Sequence, residues 1–142
     1  MHRMTVMMLF AIATLVGCNT SKTSDRDLAL VSTDEALGVV GTHEATLGIG
    51  GDTVGVWVDP RSPEKFARGH IEGAINVPLR SVREDFHILD GYDILVVYGE
   101  DYDDDLAFAA SKTLMELGFD DVRTLRGGLR AWESAGRSLV QD

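Results

Sequence analysis

The chain has a single cysteine, Cys18, so no disulfide can close within it and no cysteine-based metal cluster can be assembled. Basic charge is scarce: 13 Lys plus Arg stand against 23 Asp plus Glu, a formal net charge of −10 with a pI near 4.7. So acidic a chain lacks the basic footprint whose counterion release drives nucleic-acid binding, and anionic headgroups would repel it. This argues against DNA, RNA and electrostatic membrane docking. A membrane-spanning run is also missing. The N-terminal apolar stretch from Thr5 to Val16 would rise ~18 Å as a helix, well short of a ~30 Å hydrocarbon core. What is present is ordinary for one compact domain: 142 residues, 44% hydrophobic and 25% charged, too apolar for disorder and enough to bury a core.

Met-His-Arg-Met, the apolar run and then Gly17-Cys18 read together as a secretory signal peptide. Leu15-Val16-Gly17-Cys18 resembles the lipobox of bacterial lipoproteins. The resemblance implies that a diacylglyceryl group alkylates the Cys18 thiol, the nucleophile such a reaction needs, and that residues 1–17 are then removed. Two or three acyl chains would anchor the product stably, whereas one chain binds only at ~10⁴ M⁻¹. The expected partner is thus a membrane, reached through Cys18, with the domain in a bacterial cell envelope and facing the periplasm. Asn19 rather than Asp after the anchor favours the outer membrane under the enterobacterial sorting rule, without deciding between inner and outer. Residues 18–27 carry the lipidated cysteine and a polar tether whose nine flexible residues would reach ~15–18 Å. The folded domain is expected over residues 28–142.

From Leu28 onward, short β-rich apolar runs alternate with helical stretches, the pattern of an α/β layer fold with a largely parallel sheet. Strands are expected at Leu28–Val31, Val54–Val58, Ala74–Val77, Ile94–Tyr98 and Val122–Leu125. Ile94-Leu95-Val96-Val97-Tyr98 is apolar throughout, as a central strand covered on both faces should be. Ser32 with Glu35 three residues later forms a capping-box pattern, and Ser62-Pro63 places a hydroxyl before proline at a first helical position. Leu106, Ala110, Leu114 and Leu117 fall at helical spacing, with Gly118 suited to end that helix. Gly127-Gly128 predicts a tight turn into a last helix whose Trp132 closes the edge of the core. The glycine-rich stretch from Gly38 to Thr53 fits either a loop or an irregular hairpin.

Three segments together resemble the rhodanese-like domain family. Val58-Asp59-Pro60-Arg61 followed by Glu64-Lys65-Phe66 is similar to its strand-ending Asp-x-Arg and acidic-aromatic helix. Gly69-His70-Ile71-Glu72-Gly73-Ala74-Ile75-Asn76-Val77-Pro78 is similar to its Gly-His-Ile-x-Gly-Ala-x-Asn-x-Pro signature. Gly118-Phe119 with Val122, then Arg126-Gly127-Gly128 and Trp132, are similar to its closing elements. The resemblance implies a three-layer α/β fold, a mostly parallel central sheet of about five strands with helices on both faces. It assigns Asp59, Arg61, His70 and Asn76 to a structural motif and implies no cofactor. Read without the family, His70 between two glycines, next to Asp59 and Arg61, is a hydrogen-bonded brace for loop backbone, Pro78 stops a strand, and His43 and His87 are surface or loop residues.

In that family a cysteine at the end of the central strand is the nucleophile, its thiolate held by backbone N–H groups and a helix N-terminus. The matching position here is Gly99, so the resemblance implies no catalytic residue and a homologue of thiosulfate sulfurtransferases without their activity. Where relatives carry Arg or a hydroxyl five or six residues later, this chain has Asp104 and Asp105. The active-site-like loop Gly99-Glu100-Asp101-Tyr102-Asp103-Asp104-Asp105 is acidic and contains no base, which opposes an anionic donor by on the order of 1 kcal/mol per nearby carboxylate. Three uses of the loop stand open. Asp103, Asp104 and Asp105 can cap the next helix; Asp101, Asp103, Asp104 and Asp105 can ligate a hard cation; or the loop can dock a basic protein partner around Tyr102. The functional expectation is a lipid-anchored, non-catalytic binding or sensing module. Its alternatives are an enzyme using loop residues 100–105 with a divalent metal, or a sulfurtransferase relying on a partner's cysteine.

Overall fold

A computed structural model describes residues 23–40 and 53–142. The lipobox, Cys18, His43 and most of the glycine-rich stretch lie outside the described residues. Five strands, β1 (Ala29–Val31), β2 (Gly55–Asp59), β3 (Ile75–Asn76), β4 (Ile94–Val97) and β5 (Val122–Leu125), form one all-parallel sheet in the order β1-β5-β4-β2-β3. The helices are α1 (Thr33–Val40), α2 (Pro63–Arg68), α3 (Val82–Asp85), α4 (Asp105–Glu116) and α5 (Gly128–Ser134). The expected three-layer α/β architecture is what the chain adopts. The strand expected at Ala74–Val77 shortens to two residues, Ile75–Asn76; before it, the Ala74 N–H closes a turn on the Ile71 carbonyl.

Both faces of the sheet are covered, which is why β4 is apolar at every position. Leu95 and Val97 point with Val56 and Val58 into a core closed by Val82, Leu89, Ala107, Ala110 and Leu114. Ile94, Val96 and Tyr98 point the other way, with Trp57, into a core closed by Ala36, Leu129 and Trp132. Trp57 meets Trp132 edge to face at 5.4 Å, and the Trp132 indole N–H donates to the Ser138 carbonyl, so the last helix does seal its edge. The buried stripe of α4 is Ala107, Ala110, Ser111 and Leu114, so Ala110 and Leu114 of the expected row are buried while Leu106 and Leu117 are only partly covered. Small residues there let the helix lie close to β5, where Ser111 and Thr124 share a buried hydroxyl hydrogen bond at 2.7 Å.

Local punctuation mostly acts as read. Ser32 and Glu35 exchange the capping-box hydrogen bonds, and these hold the Glu35 carboxyl below its ordinary pKa. Ser62 occupies the N-cap before Pro63, but its hydroxyl caps no backbone group; beside Glu64 it helps hold that carboxyl below its ordinary pKa. Asp25–Asp27 form a turn of 3-10 helix, Ser24 donates from N–H and hydroxyl to Asp27, and Asp25 pairs with Lys112 of α4 at 2.6 Å. Nothing in the local sequence announces that ion pair, since its partner lies 87 residues away.

Candidate functional site

Parallel α/β sheets present loops at the carboxyl ends of their strands, and the natural crevice lies where neighbouring loops diverge. Here β4 sits between β2 and β5, and the segments leaving all three converge. The β5–α5 turn is pressed onto the β4–α4 loop: the N–H groups of Leu129 and Arg130 donate to the carbonyls of Gly99 and Glu100. Gly128, at φ +50, is where backbone meets backbone, since any Cβ there would overlap the Gly99 carbonyl.

The segment leaving β2 carries a buried ionic bolt. Asp59 is fully buried and Arg61 is 5% exposed. Asp59 Oδ1 accepts from the Arg61 N–H at 3.0 Å and from Nε at 2.9 Å, while Oδ2 accepts from Nη2 at 2.6 Å. Arg61 Nη2 also donates to the Gly69 carbonyl at 2.8 Å, tying the signature's first glycine to the strand end. Asn76 donates its amide to the carbonyls of Asp59 and Arg61 at 2.9 Å each, and Tyr98 accepts from the Ile71 N–H. Burial works against the charged guanidinium, yet the Asp59 hydrogen bonds and charge outweigh it and leave Arg61 above its ordinary pKa. Burial, with the Asp59 charge beside it, pushes the Tyr98 phenol far up. Asp59, Arg61 and Asn76 are thus brought together as a structural motif.

His70 belongs to a neighbouring brace. Its ring stacks on Phe66 at 3.7 Å, Nδ1 lies 3.0 Å from the Phe66 carbonyl, and its backbone pairs with Val140. The imidazole partners backbone, and Arg61 is tied to this segment separately, through the Gly69 carbonyl. His87 is exposed on the surface, as read.

The acidic loop is more organised than its composition implies. Asp104 is the N-cap of α4: Oδ1 accepts from Leu106 N–H at 2.9 Å and Ala107 N–H at 3.2 Å, and Oδ2 accepts from Glu100 N–H at 2.5 Å. Its carboxylate lies over Gly99, in the space a side chain at that position would occupy. Asp104 alone caps the helix; Asp105 is its first residue, and Asp103 points to solvent with its N–H on Asp101 Oδ1 at 3.2 Å. Among the described residues no three His, Cys, Asp or Glu side chains converge as a metal-ligand set, so Asp101, Asp103, Asp104 and Asp105 are not assembled for a cation.

The loop contains no base of its own, but tertiary contact brings two to face it. A cleft of about 460 Å³ is lined by Arg61, Ser62 and Lys65 on one side and by Glu100, Asp101 and Asp103 to Leu106 on the other. Glu100 Oε1 lies 2.8 Å from Lys65 Nζ and 3.7 Å from Arg61 Nη1. Lys65 went unnoticed as a site residue. It is the third residue of α2 whereas Arg61 lies ahead of the helix, so no helical spacing links the two and only the tertiary contact reveals it. Tyr102 stands 52% exposed at the loop's outer edge, its ring laid against Gly127.

Residues 42–135, well over half of the chain, match the family model for the rhodanese-like domain. The chain is 33% identical over 87 residues to an uncharacterized protein of Buchnera aphidicola, 58% of each chain. It is 35% identical over 77 residues to the thiosulfate sulfurtransferase GlpE of Pseudomonas aeruginosa, covering 54% of this chain and 68% of that one. The match thus spans little more than half the length of the Buchnera protein. Among solved structures, the thiosulfate sulfurtransferase from Pseudomonas aeruginosa aligns with a TM-score of 0.63 at 28% identity, over 81% of this chain and 20% of that one. A rhodanese-related protein from Thermoplasma volcanium aligns at 0.63 and 20% identity over 80% and 99%, a likeness of fold.

Proposed function

We propose, from the premise that this chain belongs to the rhodanese-like domain family, that it is a binding or sensing module of the bacterial cell envelope that performs no sulfur transfer and is anchored by lipid on Cys18. The observation that carries the reading is the occupant of the β4–α4 loop. Where the family resemblance calls for a cysteine the chain has Gly99, and the space beside it holds the Asp104 carboxylate. The one thiol of the chain is Cys18, which the lipobox resemblance commits to acylation. A carboxylate is a poor sulfur acceptor, and the three N–H groups that could steady a thiolate are already taken by it. Arg61 and Lys65 do supply positive charge at the cleft, but Glu100 is paired with both. Tyr102, Asp101 and Asp103, exposed on the outer side of the loop, are the surface a basic protein partner would meet.

The test is sulfur transfer from thiosulfate to cyanide by the full chain. Thiocyanate formation at the buffer-blank rate is expected; turnover that persists in a Cys18→Ser variant would defeat the reading. Intact mass of the protein isolated from a bacterial envelope checks the anchor separately. Loss of residues 1–17 with added acyl mass is expected, and an unmodified Cys18 would remove the anchor from the proposal.

A further inference from the structure

We infer that Asp104 is an internal anion permanently seated in the β4–α4 loop, and that Gly99 and Asp104 are a coupled pair: glycine is required at 99 because the Asp104 carboxylate fills the space of its side chain. The inference deepens the reading of this loop as non-catalytic and rests on it, adding what excludes small oxyanions from the cleft.

Gly99 does not owe its identity to backbone geometry, because its φ lies outside the left-handed region that favours glycine. The constraint is steric. The three atoms nearest a Cβ built on Gly99 are Oδ2, Cγ and Cβ of Asp104, all at overlapping distance. Such an overlap is relieved cheaply when the obstructing side chain is free to swing away. Asp104 is held by the N–H groups of Glu100, Leu106 and Ala107, two of them in the first turn of a 12-residue helix, so it gives way only by surrendering those bonds. Backbone N–H groups converging at a strand–loop–helix corner make a cradle for negative charge. In this chain the cradle is filled from five residues downstream. Glu100 repeats the arrangement at the mouth, lying against Arg61 and Lys65. A sulfate-sized anion entering the cleft would have to displace one carboxylate from backbone donors and another from both cations.

The experiment is a double-mutant cycle on the full chain read by thermal and urea unfolding, using Gly99→Ala, Asp104→Ser and the pair. Serine keeps an N-cap oxygen for α4 while withdrawing the carboxylate from Gly99. Gly99→Ala is expected to lower Tm by about 5 °C or more in the native background, and by nothing or less than nothing beside Asp104→Ser, where alanine only restricts the unfolded chain. Equal cost of Gly99→Ala in both backgrounds would overturn the coupling. Asp104→Ala serves as a second vacating variant should the serine chain not fold. Sodium sulfate titrated against sodium chloride of equal ionic strength gives the other readout. The native chain should show only the shallow, non-saturating rise that sulfate gives any protein, and the vacated variant should add a saturable component. Saturable stabilisation of the native chain, or none in the variant, would overturn the claim that Asp104 closes the cradle. These measurements need no enzymatic activity. Sulfur transfer by the native chain would defeat the non-catalytic reading while leaving the Gly99–Asp104 coupling to be judged by the cycle.

Discussion

The Asp59–Arg61 pair and the Glu100–Lys65 pair line the same end of the sheet, and Arg61 reaches both. The first is sealed: Asp59 has no exposed surface, and its oxygens are spent on three donors of Arg61. The second is open, with both side chains 48% exposed. Buried charges attract strongly but have lost their hydration, so removing one partner leaves a charge that nothing solvates; exposed charges trade a salt bridge for water almost evenly. Similar chemistry therefore serves two purposes at one cleft. The inner pair builds the strand end into a rigid corner, and the outer carboxylates set the sign of its mouth at little cost to the fold.

The contrast can be broken most sharply at its buried member. Asp59→Asn strands the Arg61 guanidinium and should cost about 3–5 kcal/mol in urea unfolding. A loss under 1 kcal/mol would mean water reaches Arg61 and the two pairs are alike. Next in size is Tyr98, which couples the bolt to pH. Its phenol is held neutral, with a folded pKa above the unfolded value. The stability it contributes is complete below the unfolded phenol's ordinary pKa of about 10 and declines as pH rises past it. Tm should fall above about pH 10, less steeply in Tyr98→Phe; that variant should itself cost about 1–3 kcal/mol at neutral pH, since the Ile71 N–H loses its acceptor. Equal slopes in the two chains would show that Tyr98 is solvated. The smallest effect belongs to the loop: Asp101→Asn with Asp103→Asn should change stability by no more than about 0.5 kcal/mol, because both residues face solvent. A larger loss would show these carboxylates bracing the loop as Asp104 does.

Much of this architecture was legible beforehand because it repeats along the chain. The five apolar runs separated by helical stretches are a one-dimensional pattern, and each appears as a strand within a residue or two of its expected ends. The Ser32–Glu35 cap and the Gly127-Gly128 turn were readable for the same reason, their partners being close in sequence. The site was legible only in part. Gly99 and the acids of residues 100–105 could be placed on a loop after β4, but their count alone made them one negative patch. Which acid caps, which pairs and which stands in solvent depends on groups contributed by other elements.

Local periodicity, caps and turn residues by themselves determined a parallel α/β sheet covered on both faces, because burial and backbone hydrogen bonding act on neighbours. Tertiary structure alone decided that Lys65 and Arg61 face Glu100 and that Asp25 ties to Lys112. It also set the Asp104 carboxylate in the space over Gly99. Electrostatic pairing and steric exclusion act through space, and the sheet is what converts distant positions in the chain into contacts a few ångströms long.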